Sequence, residues 1–200
     1  IRMTKRTRAE GLHKVLYQCP HCGKEYRMTS KGAELWCEEC GHRWFMNEYG
    51  QLEATEGESY YPHIPDWYEW QRQNVRREVD AGTYGITVKA DVRSLPNPRR
   101  FIDVGEATFT HDMKGFRLDG TFDGMEYNLT IPAKARYSIH IEYDYRKWHR
   151  DCIDLSTLTD TMFVFPQGED FSVTKMSLAC EEIYKKLNNK LFEYVDTINR

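Results

Sequence analysis

Four of the six cysteines in this chain fall into two CxxC pairs, Cys19/Cys22 and Cys37/Cys40, within the stretch YQCPHCGKEYRMTSKGAELWCEECGHRWFM. The order C-x2-C-x14-C-x2-C is a metal-site spacing. Zinc takes four soft ligands in a tetrahedron, and a CxxC turn offers two thiolates with intervening backbone N–H groups aimed at the sulfurs. Two such turns joined by a hairpin complete the site. Gly23 and Gly41 each follow the second cysteine of a pair, where a tight turn needs a permissive backbone. ELWC and HRWFM read as short strands flanking the second turn. The pattern is that of a zinc ribbon, with Zn2+ held by Cys19, Cys22, Cys37 and Cys40.

Other cysteine chemistry fits less well. A redox pair of the thioredoxin kind needs one CxxC in a βαβ setting, and none surrounds these. Two disulfides would require an oxidising compartment, and no signal-peptide segment points to one. His13, His21 and His42 lie nearby, but four thiolates already fill a tetrahedron. A closed all-thiolate site has no open position for water or substrate, so the expected role is structural. It replaces the hydrophobic core that about 35 residues cannot build.

Charge narrows the classes of partner. The chain carries a net −3, which is not a design for wrapping nucleic acid. Residues 1–50 hold nine Lys/Arg against six Glu, and four thiolates with one zinc subtract two charges. The ribbon is nearly neutral, with its basic residues concentrated in an N-terminal arm of Arg2, Lys5, Arg6 and Arg8. Nucleic-acid binding is therefore the alternative reading and not the leading one. No apolar run approaches the roughly 18 residues of a membrane span. Reduced cysteines and the missing signal peptide point to the cytoplasm. The start at Ile1 suggests a piece of a longer protein.

The elements around the ribbon follow from period and punctuation. NEYGQLEATEGESYYPHIPDW, with Gly50, Gly57, Pro62 and Pro65, reads as an exit hairpin and linker, and residues 51–82 as linker and then a helix, with Asp66 near its start and a stop at Ala81-Gly82. Tyr60, Tyr61, Trp67, Tyr68 and Trp70 crowd this segment. Packing against the next domain is expected of them, in preference to a membrane-interface or partner-binding patch. From Tyr84 the apolar period becomes two. Strands follow at YGITVKADV, at FIDVGEATFTHD with a bulge at Gly105, at MKGFRLDGTFDG, at MEYNLTI and at ARYSIHIEYDY. In the last of these, Tyr137, Ile139, Ile141, Tyr143 and Tyr145 share a side. Two short strands come next, near 150–155 and 160–165. A final amphipathic helix is capped by Ser172 and carries Val173, Met176, Ala179/Cys180, Ile183 and Leu187 as its stripe, with Asn188-Asn189 interrupting or ending it.

The fold class is thus mainly β with α: a zinc ribbon with its basic arm (1–50), a linker and aromatic helix (51–82), and a β domain with a C-terminal helix (83–200). By strand count and order the β domain resembles the pleckstrin-homology-like barrel, whose open end a C-terminal helix closes and whose relatives include lipid-sensing and peptide-binding domains. A lipocalin-like or other small barrel would alternate in the same way.

Two pieces of the chain imitate an enzyme. His149 and Asp154 form an H-x4-D string, and Phe165-Pro-Gln-Gly168 resembles an FPEG block. Glycerolipid acyltransferases carry both signatures, but many tens of residues apart on an α/β fold. Here only ten residues separate Asp154 from Phe165, so His149 and Asp154 read as turn and strand residues. Cys152 and Cys180 fall on core faces. His111 and Asp112 sit at a hairpin tip, where turn capping is the ordinary role. His140 should face solvent or a shallow groove. No catalytic residue is assigned.

The order of segments carries a further resemblance. GLHKVLYQCPHCG, the second CxxC, EYGQL, HIPDWYEWQRQNVR and GEATFTHDMKGFRL together resemble the C-terminal extension of bacterial 1-acylglycerol-3-phosphate acyltransferase-family proteins. The resemblance covers nearly the whole chain. It implies a preceding catalytic domain as partner, a place at the inner face of the membrane with membrane lipid as a further contact, and no catalytic residue of the family in this segment. The function it implies is a non-catalytic regulatory, membrane-positioning or interaction module. Nucleic-acid binding through the ribbon, or a self-contained enzyme in the β domain, are the alternatives.

Overall fold

The computed structural model describes residues 2–96, 100–145, 148–157 and 160–188. The chain is mostly β with a few helices and divides into two compact units, 1–74 and 75–200.

The first unit is built on a four-stranded antiparallel meander of β1 (Met28–Lys31), β2 (Glu34–Cys37), β3 (Arg43–Met46) and β4 (Leu52–Ala54). Alternation along these short strands sends Met28, Leu35, Cys37, Trp44, Met46 and Leu52 to one face. That face is covered by Ala9, by Leu16 just after the single turn α1 (Leu12–Val15), and by Trp67 of α2 (Ile64–Ala81). Trp67 is fully buried and its indole donates to the Gln18 carbonyl at 2.9 Å. The aromatic helix was expected to pack on the domain that follows; its Trp67, Tyr68 and Trp70 belong to the ribbon core instead. Periodicity shows that a helix has an apolar face but not what covers it. The expected exit hairpin is present as the β3–β4 pair, with Met46 opposite Leu52, and α2 supplies the cover. The division between units falls inside α2, after Asn74.

Gln71, one helical turn beyond Trp67, has no exposed surface. Its amide donates to Val15 O at 3.0 Å and accepts from Gln18 N at 3.0 Å. Asn74 donates to the Gln18 side chain at 2.6 Å. The segment entering the first CxxC turn therefore finds side-chain partners on α2 for backbone groups that a sheet would otherwise pair.

The second unit is a seven-stranded antiparallel sheet. Its strands are β5 (Gly85–Ser94), β6 (Ile102–Asp112), β7 (Gly115–Phe122), β8 (Met125–Pro132), β9 (His140–Tyr145), β10 (Arg150–Ser156) and β11 (Thr161–Pro166). The spatial order is β8-β7-β6-β5-β11-β10-β9. A four-stranded and a three-stranded meander are thus joined through their first and last strands, with Val92 opposite Val164. Among the described residues no ladder joins β8 to β9, so the sheet is not closed by pairing into the expected barrel. The bulge expected at Gly105 is present: the β5–β6 register slips between Val92 and Arg93, opposite Gly105 and Asp103.

Helix α3 (Val173–Leu187) lies on one face of this sheet. Ser172 caps it, its hydroxyl accepting from Lys175 N at 3.3 Å. Val173, Met176 and Cys180 enter a core with Val92, Phe109, Phe116, Leu118, Ile153 and Val164. Asn188 follows as C-cap, and the helical continuation considered for 189–200 lies outside the described residues. The end of α2 is bonded to α3 through charge. Arg76 reaches Glu182 at 2.7 Å, Lys175 reaches Glu78 at 2.9 Å, and Lys186 Nζ caps the carbonyls of Val79 and Asp80 at 2.7 and 2.9 Å.

One parity expectation fails. Ile139, Ile141 and Tyr143 pack on the main core, but Tyr137 is 48% exposed and Tyr145 joins a separate aromatic cluster with Cys152, Phe163 and Phe165. Asp144 adopts a left-handed φ of 50°, and the β9–β10 ladder slips between Arg150 and Cys152. An irregularity of one residue turns every later side chain to the other face.

Candidate metal centre

The two CxxC turns are built alike. In the first, Gly23 N donates to Cys19 O at 2.9 Å; in the second, Gly41 N donates to Cys37 O at 2.9 Å. Gly23 and Gly41 have φ of 75° and 74°, a conformation natural to glycine. The backbone N–H groups of His21 and Cys22 aim at the Cys19 sulfur, and those of Glu39 and Cys40 at the Cys37 sulfur. Both amide pairs favour negative charge on the first sulfur of each turn.

The turns converge. The four sulfurs lie within 4.8 Å of one another, with Cys19 Sγ–Cys40 Sγ and Cys22 Sγ–Cys37 Sγ both 3.8 Å apart. Four sulfurs at about 2.3 Å from one zinc in a tetrahedron stand about 3.8 Å from each other. The donor set and its spacing fit the ion. All four cysteines are free thiols, Cys19 and Cys37 buried and Cys22 and Cys40 exposed. Burial pushes the Cys19 and Cys37 thiols up, against the pull of the backbone amides. Crowded, half-buried thiolates need a compensating cation, and bound zinc supplies that charge and ties the two turns together. The chain has a structural zinc centre.

Beside it stands an aromatic group that the spacing did not reveal. His21 and His42 stack at 4.5 Å and 11°, and His42 meets Trp44 edge-on at 4.5 Å. His21 Nδ1 lies 2.8 Å from the Tyr60 hydroxyl, and His42 Nε2 donates to Glu58 O at 3.0 Å. These histidines brace the loop 58–60 against the turns and add no metal ligand. His13 is likewise occupied, its Nδ1 2.7 Å from Ser30 Oγ. Trp67, Gln71 and Asn74 were also missed as ribbon residues. Their i, i+4, i+7 spacing marks one helix face and was the available signal.

The imitation active site comes apart. His149 sits in the turn before β10 with φ 47°. Asp154 is engaged by a different histidine, His140 Nδ1, at 3.0 Å. That hydrogen bond raises the pKa of His140, while burial raises that of Asp154. Phe165 is buried in the aromatic cluster, and Arg150 holds the carbonyls of Phe165 and Pro166 at 3.0 Å as well as Asp91. The FPQG block is thus fastened as structure. Cys152 and Cys180 are buried, with thiol pKa values pushed up by desolvation, that of Cys180 to about 12. Asp112 does cap the β6–β7 turn, accepting from Lys114 N at 2.7 Å. His111 lies inside β6, fully enclosed, stacked on Phe116 at 3.9 Å with Nδ1 2.9 Å from the Tyr84 hydroxyl. Among the described residues, the four cysteines are the one cluster able to hold a metal ion.

An open hollow of about 560 Å³ in the second unit is lined by Asp119, Gly120, Thr121, Glu126, Tyr127 and Asn128, with no histidine or cysteine among them. No helix among the described residues is long and apolar enough to cross a membrane.

No curated protein and no solved structure matches the chain. One family model does: residues 12–48 match a zinc-ribbon family described as "DNA directed RNA polymerase, 7 kDa subunit", so the chain is similar to that family over the ribbon and over nothing beyond it.

Proposed function

We propose that this chain is a non-catalytic interaction module, appended to a glycerophospholipid acyltransferase of the 1-acylglycerol-3-phosphate type. The observation that carries the non-catalytic part is the fate of its reactive residues. The four cysteines close on one metal position, and His111, His140 and His149 are used in packing, in an exposed ion pair and in a turn. The acyltransferase attachment rests on the order of segments, from ribbon to aromatic helix to β domain. The second unit acts as a pleckstrin-homology-like fold, supported by two meanders joined through first and last strands and followed by a helix. In this reading the module holds the enzyme at the inner membrane face. Pelleting of the zinc-loaded chain with phosphatidylglycerol vesicles at low and high salt tests it. Salt-sensitive pelleting is expected, and a chain that stays in the supernatant at both salts sinks the membrane-positioning role.

A second reading, nucleic-acid binding by the ribbon, is favoured by the family match over 12–48 and by the solvent face of the ribbon sheet.

A further inference from the structure

The ribbon sheet has two faces, and only one is covered. Met28, Leu35, Trp44, Met46 and Leu52 point into the core. On the other face, cross-strand register sets Thr29 beside Trp36 beside Arg43, and Lys31 beside Glu34 beside Phe45. Neither Trp36 nor Phe45 belongs to the ribbon core, and Phe45 is 41% exposed. Both rings are stacked by arginine. The Arg43 guanidinium lies 4.5 Å from the Trp36 ring centre, and that of Arg8 lies 4.9 Å from the Phe45 ring centre. Arg8 is held there by donating to Met46 O at 2.6 Å.

Glu25, Glu38 and Glu39 belong to the cysteine turns. The sheet face carries Arg8, Lys31 and Arg43, and the arm bearing Lys5 and Arg6 is pinned to the β1–β2 turn by Ala9 N–Gly32 O at 2.9 Å. Two carboxylates stand on the same face. Glu34 is bonded to Arg43 at 2.7 Å, and Glu53 accepts from Asn47 at 2.6 Å. Glu10 also stands at the β1–β2 turn, accepting from Gly32 N at 3.2 Å, and Glu48 pairs with Arg2 of the arm. The face itself, Arg8, Lys31 and Arg43 against Glu34 and Glu53, is therefore cationic by one charge.

We propose that this face, centred on Trp36/Arg43 and Phe45/Arg8, binds single-stranded nucleic acid. The inference rests on the second reading above and assigns it a surface. Unpaired bases stack on aromatic rings and on guanidinium planes, while lysine and arginine track the phosphates. Two ring–guanidinium pairs, with the rings on neighbouring strands, offer both at once.

The test is fluorescence anisotropy of labelled oligo(dT)20 against the zinc-loaded chain, with heparin as a polyanion lacking bases. Three neutralised phosphates give single strands a log–log salt slope of about −2, so raising salt from about 50 to 200 mM should weaken binding about 20-fold. Phe45→Ala with Arg8→Ala, and separately Trp36→Ala, should each weaken oligo(dT)20 binding about tenfold. Both variants should retain one zinc per chain, which reports an intact ribbon, and heparin binding should change less under Trp36→Ala. Absence of any binding at low salt overturns the proposal together with the nucleic-acid reading. Salt-sensitive binding that neither variant weakens overturns the face alone. Equal loss of heparin and oligonucleotide under Trp36→Ala overturns base stacking, and pelleting with anionic vesicles that both variants abolish gives the face to membrane instead.

Discussion

His111 should make the second unit acid-sensitive well above the carboxylate range. The imidazole is enclosed between Phe116 and Tyr84, and burial alone depresses its pKa from 6.5 to about 3. It is neutral when folded and protonates readily when unfolded. The stability its neutrality contributes is complete above pH 6.5 and is lost as pH falls from 6.5 toward 3. Each pH unit inside that window costs about 1.4 kcal/mol. From pH 7 to pH 5 the loss comes to about 2 kcal/mol, about 25-fold in the opening equilibrium. Hydrogen exchange read by mass spectrometry on peptides spanning 84–118, corrected for intrinsic rates, measures it. The comparison is with His111→Gln, which keeps a polar partner for Tyr84 but cannot titrate. The variant should be less stable at pH 7 and should lack most of the added loss at pH 5. His140, whose pKa is raised by its hydrogen bond to Asp154, acts in the opposite sense, its stability present at low pH and lost as pH rises. It is common to both proteins and cancels in the difference. An equal pH slope in wild type and variant would show that His111 is charged or hydrated in the folded state, and the reasoning from burial would be wrong.

Three further outcomes follow from the geometry. Cys37→Ser should abolish stoichiometric zinc binding, measured by elemental analysis, and expose the amides of the two CxxC turns, residues 18–24 and 36–42, to rapid exchange, because the metal ties those turns together while the core beside them is apolar. Gln71→Ala leaves Gln18 N and Val15 O without their buried partner and should cost about 2–4 kcal/mol in chemical denaturation of the ribbon; a change under about 0.5 kcal/mol would mean water replaces the amide. Gly115→Ala should prevent native β7–β8 pairing, since an added Cβ would lie 2.1 Å from Ile131 O at a φ of +120°; soluble protein with wild-type exchange protection in β7 would refute that.

Legibility tracked the range of the interaction. The ribbon could be read because its metal ligands lie within 22 residues and their spacing encodes the turns. Ser172 as cap, Gly82 as helix stop and Gly105 as bulge were readable for the same reason, each being a matter of adjacent backbone. Tyr145 was misplaced because the left-handed Asp144 interrupts alternation, and nothing in an Asp-Tyr pair announces it. His140 was found exposed as its alternation implied, but its partner Asp154 comes from a neighbouring strand.

By itself the sequence determined the zinc ligands, the mainly β class and the apolar stripe of the C-terminal helix, because these depend on residue spacing along a single element. The tertiary structure alone decided which surface each face met. It put Trp67 and Gln71 into the ribbon core, paired β5 with β11 across more than 65 residues, and left the sheet open between β8 and β9. It also brought Arg8 over Phe45 and Arg43 over Trp36. Except for Arg43 over Trp36, which one hairpin brings together, those contacts join residues far apart in the chain, and their energy is realised only when folding brings the partners within reach.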